Sequence, residues 1–251
     1  MDELAPIHGN AKTYPTVVTI GSQASDQAFT HLSPEQTLIM AFLPKRTYLG
    51  LLEKHTPHPR QKLKNFTAVF LDQPLERQFN LIRIIKPDTA TLATALGAYS
   101  QQELPELERL GAAQGIKIKQ AILSENDNPM QKLQPLIAGS DVVLTLPDKS
   151  LFNRTTAKWI LYISFRQGIP LFGFSEKYVK AGAIAAVYSK PNDIGRQTAE
   201  VLSQWLSQKR LADAQYPSYF NVVTNPVAAR SLRINIKSPE IIQQQLKGME
   251  P

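Results

Sequence analysis

Short apolar runs recur along this chain, each followed by a polar turn and then by apolar positions at helical spacing. TVVTIGSQAS at 16–25 ends its β-branched run at Gly21-Ser22 and continues as a predicted helix to about Thr30. TLIMAFLPK at 37–45 is a second strand, stopped by Pro44, with a short helix over RTYLGLLEK. FTAVFLDQP at 66–74 is a third, and Pro74 suits the first turn of the next helix, where its missing N–H is no loss. That helix carries Phe79, Ile82 and Ile85 on one side, with Leu75, Leu81 and Ile84 widening the stripe.

A second series begins with TATLATALG at 89–97. Its helix, about Gln101 to Ala113, turns Leu104, Leu107 and Leu110 inward and Glu103, Glu106 and Glu108 to water. IKIKQAIL at 116–123 alternates as a strand does. Met130 to Ala138 reads as a helix in which Pro135 predicts a kink or a late start. VVLTLPDKS at 142–150 feeds a helix from near Phe152, IPLFGFSEK at 169–177 feeds a short one, and GAIAAVYS at 182–189 is another strand. Ile194 to Leu206 is amphipathic. FNVVTN at 220–225 is a last strand, followed by a short helix from Pro226 and a final helix with Pro239 in its first turn.

Strands alternating with helices predict βαβ units in parallel sheets. Two such series place the chain in the α/β class, as two Rossmann-like lobes with parallel sheets. The expected divisions are 1–87 for an N-terminal lobe, 88–189 for a C-terminal lobe, and 190–251 for a crossover helix with a strand and helices packing on both.

The length of 251 residues and 43% hydrophobic content give ample core. No apolar run is long enough for a membrane span, and the first fifteen or so residues show no signal-peptide pattern. Cysteine is absent, which excludes disulfides and thiolate chemistry. The net charge of +7 raises nucleic acid as a partner, but KRT at 45–47, RQKLK at 60–64 and QKR at 208–210 are scattered and no helix carries a basic stripe, so none is expected. His8, His31, His55 and His58 have no HxxxH or HExxH pairing, so no metal or other cofactor is expected.

Ligands of parallel sheets bind beyond the carboxyl ends of the strands, which selects the candidate residues. Ser22 and Gln23 open a helix after a strand, where amides and hydroxyls suit a carboxylate or phosphate; capping by Ser22 is the plainer alternative. Asp72 and Gln73 end the third strand, with Asp72 alternatively a helix cap. Asp148 follows Pro147 after a strand, where a ligand would be held, and alternatively caps the next helix. Tyr99 with Ser100, and Phe174 with Ser175, offer an aromatic face beside a hydroxyl; each pair equally reads as core packing plus a cap. Asn153 either bonds a ligand or serves its own backbone. No GxSxG elbow or Ser/His/Asp set stands out, so no enzyme is expected; Asp72 with Asp148 as an acid/base pair is the residual catalytic alternative.

With these residues in view, the chain resembles ABC transporter substrate-binding proteins of the type I periplasmic binding protein fold, some of which bind aromatic amino acids. The resemblance rests on TIGSQAS at 19–25, LDQPLERQFNLI at 71–82, VVLTLPDKSLFN at 142–153, IPLFGFSEKYVKAGAIAAVYSKPNDIGRQTAEVL at 169–202 and FNVVTNPVAARSLRINI at 220–236. It implies a periplasmic or extracytoplasmic solute-binding component that holds a small polar, amino-acid-like ligand in an inter-lobe cleft and serves an ABC permease, without entering the membrane. It also implies that Asp148 faces the crevice and pairs there with a ligand ammonium. Relatives begin with a βαβ unit before the strand matching TVVTIG, so the first lobe is expected to be reduced. A sensory or scaffold protein of the same fold is the alternative function.

Overall fold

The computed structural model describes residues 14–33, 35–55, 65–124, 126–151 and 154–250. Strands and helices alternate: β1 Thr16–Ile20, α1 Ser22–His31, β2 Thr37–Leu43, α2 Lys45–His55, β3 Phe66–Phe70 and α3 Leu75–Ile85. They continue with β4 Thr91–Leu96, α4 Leu104–Gln114, β5 Lys117–Ile122, α5 Pro129–Ile137, β6 Val142–Leu144, α6 Arg154–Arg166, β7 Leu171–Gly173, α7 Glu176–Lys180 and β8 Ala185–Tyr188. The chain closes with α8 Pro191–Gln208, β9 Asn221–Thr224, α9 Pro226–Ser231 and α10 Pro239–Lys247.

Chain contacts divide the molecule into two compact units. One comprises the described residues up to Gln73 with Ser189–Phe220; the other comprises Pro74–Tyr188 with the described residues from Asn221. The division falls ahead of the boundary expected between 87 and 88, because α3 packs on α4, α10 and β8 rather than on the strands that precede it. Likewise α8 joins the first unit, against β2 and β3, and β9 and α10 join the second.

The first unit is a parallel sheet in the order β1-β2-β3. Every residue of β2 except Phe42 is buried, as a central parallel strand covered on both faces requires. Alternation then sorts its side chains: Leu38 and Met40 pack with Ala28, Tyr48 and Leu51 of α1 and α2. Ile39 and Ala41 turn to the opposite face, with Ile194 and Val201 of α8. The register shifts between Ala41 and Leu43, and the intervening Phe42 takes a left-handed φ of 59°. That conformation is strained for a bulky residue.

In the second unit the order is β5-β4-β6-β7-β8-β9, parallel except for β9, which runs antiparallel to β8. This edge strand departs from the purely parallel expectation. One face carries Ala93, Ala95, Val143 and Leu171 against Leu133 and Ile137 of α5, Ile160 and Ile163 of α6, and Val179 of α7. Fully burying such side chains stabilises the fold by roughly 1.5–3 kcal/mol each.

Local signals set the helix starts. Asn128 accepts from the Met130 amide and precedes Pro129, so α5 starts early and Pro135 falls in its last turn, without a late start. Asn225 caps α9 through the Ala228 amide. Gly115 ends α4 at a φ of 65°, where an L side chain would be strained.

Candidate functional site

In the second sheet β4 lies between β5 and β6, so the chain leaves β4 toward opposite sides and the loops after β4 and β6 flank a switch point. Asp148 joins these two loops. One of its oxygens, Oδ2, accepts from the Tyr99 amide (3.1 Å), the Ser100 amide (2.7 Å) and the Ser100 hydroxyl (2.7 Å). The other, Oδ1, accepts from the Ser150 amide (2.8 Å) and hydroxyl (2.6 Å). Ser150 Oγ in turn accepts from the Ala98 amide, and Ser100 Oγ from the Gly97 amide. Burial alone pushes the Asp148 carboxyl up, but the bonds from Ser150 and Ser100 outweigh it and hold the group below the ordinary carboxylate range. The carboxylate is buried and already accepts five bonds from its own chain.

Gly97 makes this closeness possible. A Cβ there would stand 2.7 Å from Ser150 Oγ and 2.8 Å from Asp148 Oδ2. The latch leaves Tyr99 on the rim, exposed, with Lys149 Nζ 4.6 Å above its ring. Thus Tyr99, Ser100 and Asp148 come together, though as a hydrogen-bonded unit. Phe174 packs on the core beside Tyr178, ring centroids 4.8 Å apart, and Ser175 caps α7 by accepting from the Tyr178 amide. Asn153 lies outside the described residues.

The first unit offers a different arrangement. Gly21, at a φ of 88°, is the N-cap of α1 and donates to Ala41 O (2.8 Å). Ser25 Oγ donates to Gly21 O (2.9 Å) and shares a bond with Thr19 Oγ1 (2.9 Å), which fixes the turn. Ser22 therefore does not cap the helix. Its hydroxyl and the exposed Gln23 amide group make no hydrogen bond among the described residues. Together with the open first-turn amides they form a donor cluster at the positive end of α1.

Asp72 does not cap the helix that follows it. Its Oδ1 accepts from the Lys45 amide (2.9 Å) at the start of α2. Burial pushes its carboxyl above the ordinary range, against the pull of that amide. Gln73 is buried and donates to Ser189 Oγ (2.9 Å), which donates to Tyr219 O (2.6 Å). These bonds tie the three segments where the chain leaves or re-enters the first unit.

The strand-end rule also places Ser150 among the polar residues where a ligand would be held; sequence reasoning did not select Gly97, or the exposed apolar side chains at strand ends: Ile20, Leu71 and Ile122. The signal for Ile20 and Leu71 was available, since each closes an apolar run ahead of polar residues, whereas Ile122 is followed by the buried Leu123. Among the described residues there is no cluster of three or more metal-ligating side chains. Nor is any helix there long and apolar enough to cross a membrane.

Residues 12–245 match the family described as ABC transporter substrate binding protein. The chain belongs to this family. It is accordingly a substrate-binding component of an ABC transporter, a binding protein and not an enzyme, which removes the acid/base reading of Asp72 and Asp148. A comparison with curated proteins found no match. Among solved structures, a conserved domain protein from Vibrio cholerae is 22% identical, with a TM-score of 0.64, over 92% of this chain and 77% of that one. An ABC domain from Streptococcus pneumoniae in complex with L-Trp is 20% identical, with a TM-score of 0.64, over 95% and 80%. The ligand-free, open structure of a Clostridium difficile substrate binding protein with adhesive properties is 15% identical, with a TM-score of 0.73, over 91% and 77%. These likenesses establish the fold, two α/β units of the type I periplasmic binding protein kind.

Proposed function

We propose that this protein binds a small amino-acid-like molecule through the strand-end loops of both units and hands it to an ABC permease on the extracytoplasmic side of the membrane. The observation that carries the reading is the contrast at the strand ends. The donors of Ser22 and Gln23 make no hydrogen bond among the described residues, whereas Asp148 accepts five bonds from its own chain. Ser22, Gln23 and the α1 amides take the ligand carboxylate. Tyr99 supplies an aromatic face, and the exposed Leu71 and Ile122 add apolar surface suited to an apolar or aromatic side chain. Asp148 is a positioning residue that holds Tyr99 and Ser100 in place, and it does not grip the ligand ammonium. Asp72 and Gln73 hold the frame of the first unit. Phe174 and Ser175 contribute through the shape of the β7 loop. The bound L-Trp of the pneumococcal structure supports an aromatic amino acid as the first ligand to test.

A thermal-shift screen of the amino acids, followed by calorimetry, tests this. A ligand present at 100 times its dissociation constant adds about 2.7 kcal/mol of stability. Ser22→Ala with Gln23→Ala, and separately Tyr99→Ala, are expected to weaken binding about tenfold or more. If no amino acid or α-keto acid stabilises the protein, or if both variants bind as the wild type does, the reading fails.

A further inference from the structure

Outside the strand-end loops, the second unit carries a groove of about 610 Å³ lined by Met130 of α5 and by Thr155, Lys158, Trp159 and Tyr162 of α6. Its size is that of a small-molecule site. The walls are aromatic: the Trp159 and Tyr162 rings meet edge to face at 6.0 Å, and Tyr162 is half exposed. A side chain that served only the core would be covered, as Ile160 and Ile163 of the same helix are.

Charge selects the occupant. No Asp or Glu occurs from Lys149 to Ser175, a stretch that contains Lys149, Arg154, Lys158 and Arg166. Nor does any occur from Asn128 to Ser140, which holds α5. Lys158 makes no ion pair among the described residues, whereas Lys132 on α5 is neutralised by Asp127 at 2.8 Å. A planar apolar surface beside an unpaired cation recognises a molecule with a flat ring and a negative charge.

We propose that this groove is a second binding site, for a small aromatic organic anion stacked on Trp159 and Tyr162 with its charge on Lys158. The site is open on one side, so it is a weak one compared with an enclosed pocket.

The test uses protein labelled with 5-fluorotryptophan and ¹⁹F NMR. The chain has two tryptophans, and Trp205 belongs to the first unit, so its resonance is an internal control. Trp205→Phe assigns the peaks. The probes are 2-naphthoate and its neutral isostere 2-naphthamide. Naphthoate is expected to shift the Trp159 resonance saturably and leave that of Trp205 in place. Binding should weaken about three- to tenfold for naphthamide, and likewise for naphthoate to Lys158→Gln. Tyr99→Ala and Ser22→Ala should leave the Trp159 response unchanged. The proposal is overturned if Trp159 does not respond saturably, if acid and amide bind equally, or if Lys158→Gln has no effect. If the response disappears with Tyr99→Ala but persists with Lys158→Gln, the probe occupies the strand-end site; the groove falls and the reading of the strand-end loops stands.

Discussion

Replacing Asp148 with alanine should unlatch the β4 and β6 loops, and the cost follows from its five donors. The two serine hydroxyls can rotate away and find other acceptors, so they contribute little to the penalty. The amides of Tyr99 and Ser150 lie beside solvent-accessible residues, but Ser100 is fully buried and its amide has nowhere to turn. One orphaned buried donor costs about 1–3 kcal/mol, and the lost bonds to an ionised acceptor are worth about as much again. A net loss of about 3 kcal/mol is expected, or roughly 6–12 °C in the melting temperature of a chain this long. Asn at 148 should recover little of it, because its NH2 must face either the Ser150 amide or the pair at Tyr99 and Ser100. The pH dependence has a definite sign. The folded carboxyl lies below its unfolded value, so its contribution is present at neutral pH and lost as the pH falls through the acid range toward the folded value. Thermal and urea denaturation of wild type, Asp148→Ala and Asp148→Asn at pH 7 and near pH 2.5, with hydrogen exchange at the Ser100 amide, reads all of this. A loss below about 1 kcal/mol at neutral pH, or an equal gap between wild type and variants at both pH values, would refute the latch.

Two further outcomes follow from the same loops. Gly97→Ala places a Cβ within 3.0 Å of Ser150 Oγ, Asp148 Oδ2 and Leu151 Cβ, so urea titration should show a destabilisation of about 1–3 kcal/mol. Asp72→Asn should be neutral or stabilising at pH 7. The ionised carboxyl is disfavoured by burial in the folded state, while the amide oxygen can still accept from the Lys45 N–H. Because the folded value is raised, that gain should vanish at low pH, where the wild-type group is protonated in both states; denaturation at the two pH values checks it.

What was legible in the sequence was whatever depends on near neighbours. TLIMAFL announces a strand covered on both faces because its apolar run is unbroken, and Pro239 announces the start of α10 because a missing N–H is no loss in a first turn. What was not legible depends on which elements meet. Asp72 reads as an acceptor after a strand, but the amide it serves belongs to Lys45 on another helix. Asp148 reads as a crevice acid, and only the proximity of the Gly97–Ser100 loop shows that its oxygens are occupied. The stripe of α3 is plain, yet nothing in it says that it packs with α4 and α10 and so belongs to the second unit. The direction of β9 is equally silent, since a short apolar run pairs either way.

The two strand ends also set the sign of charge they welcome. In the first unit, α1 presents open amides and α2 begins with Lys45 and Arg46, while the neighbouring Asp72 is disfavoured as an anion. In the second unit, Asp148 is charged but its field is spent on the amides around it, and the exposed charge beside Tyr99 is Lys149. Each unit, taken alone, therefore presents positive character at the strand ends proposed above to bind the ligand. In the proposed site a carboxylate gains from that field, whereas an amine without a carboxylate meets repulsion. On the proposed reading, the recognition element is the acid end of the ligand. Decarboxylated analogues should bind far more weakly than deaminated ones, the reverse of what a substrate held by Asp148 would show.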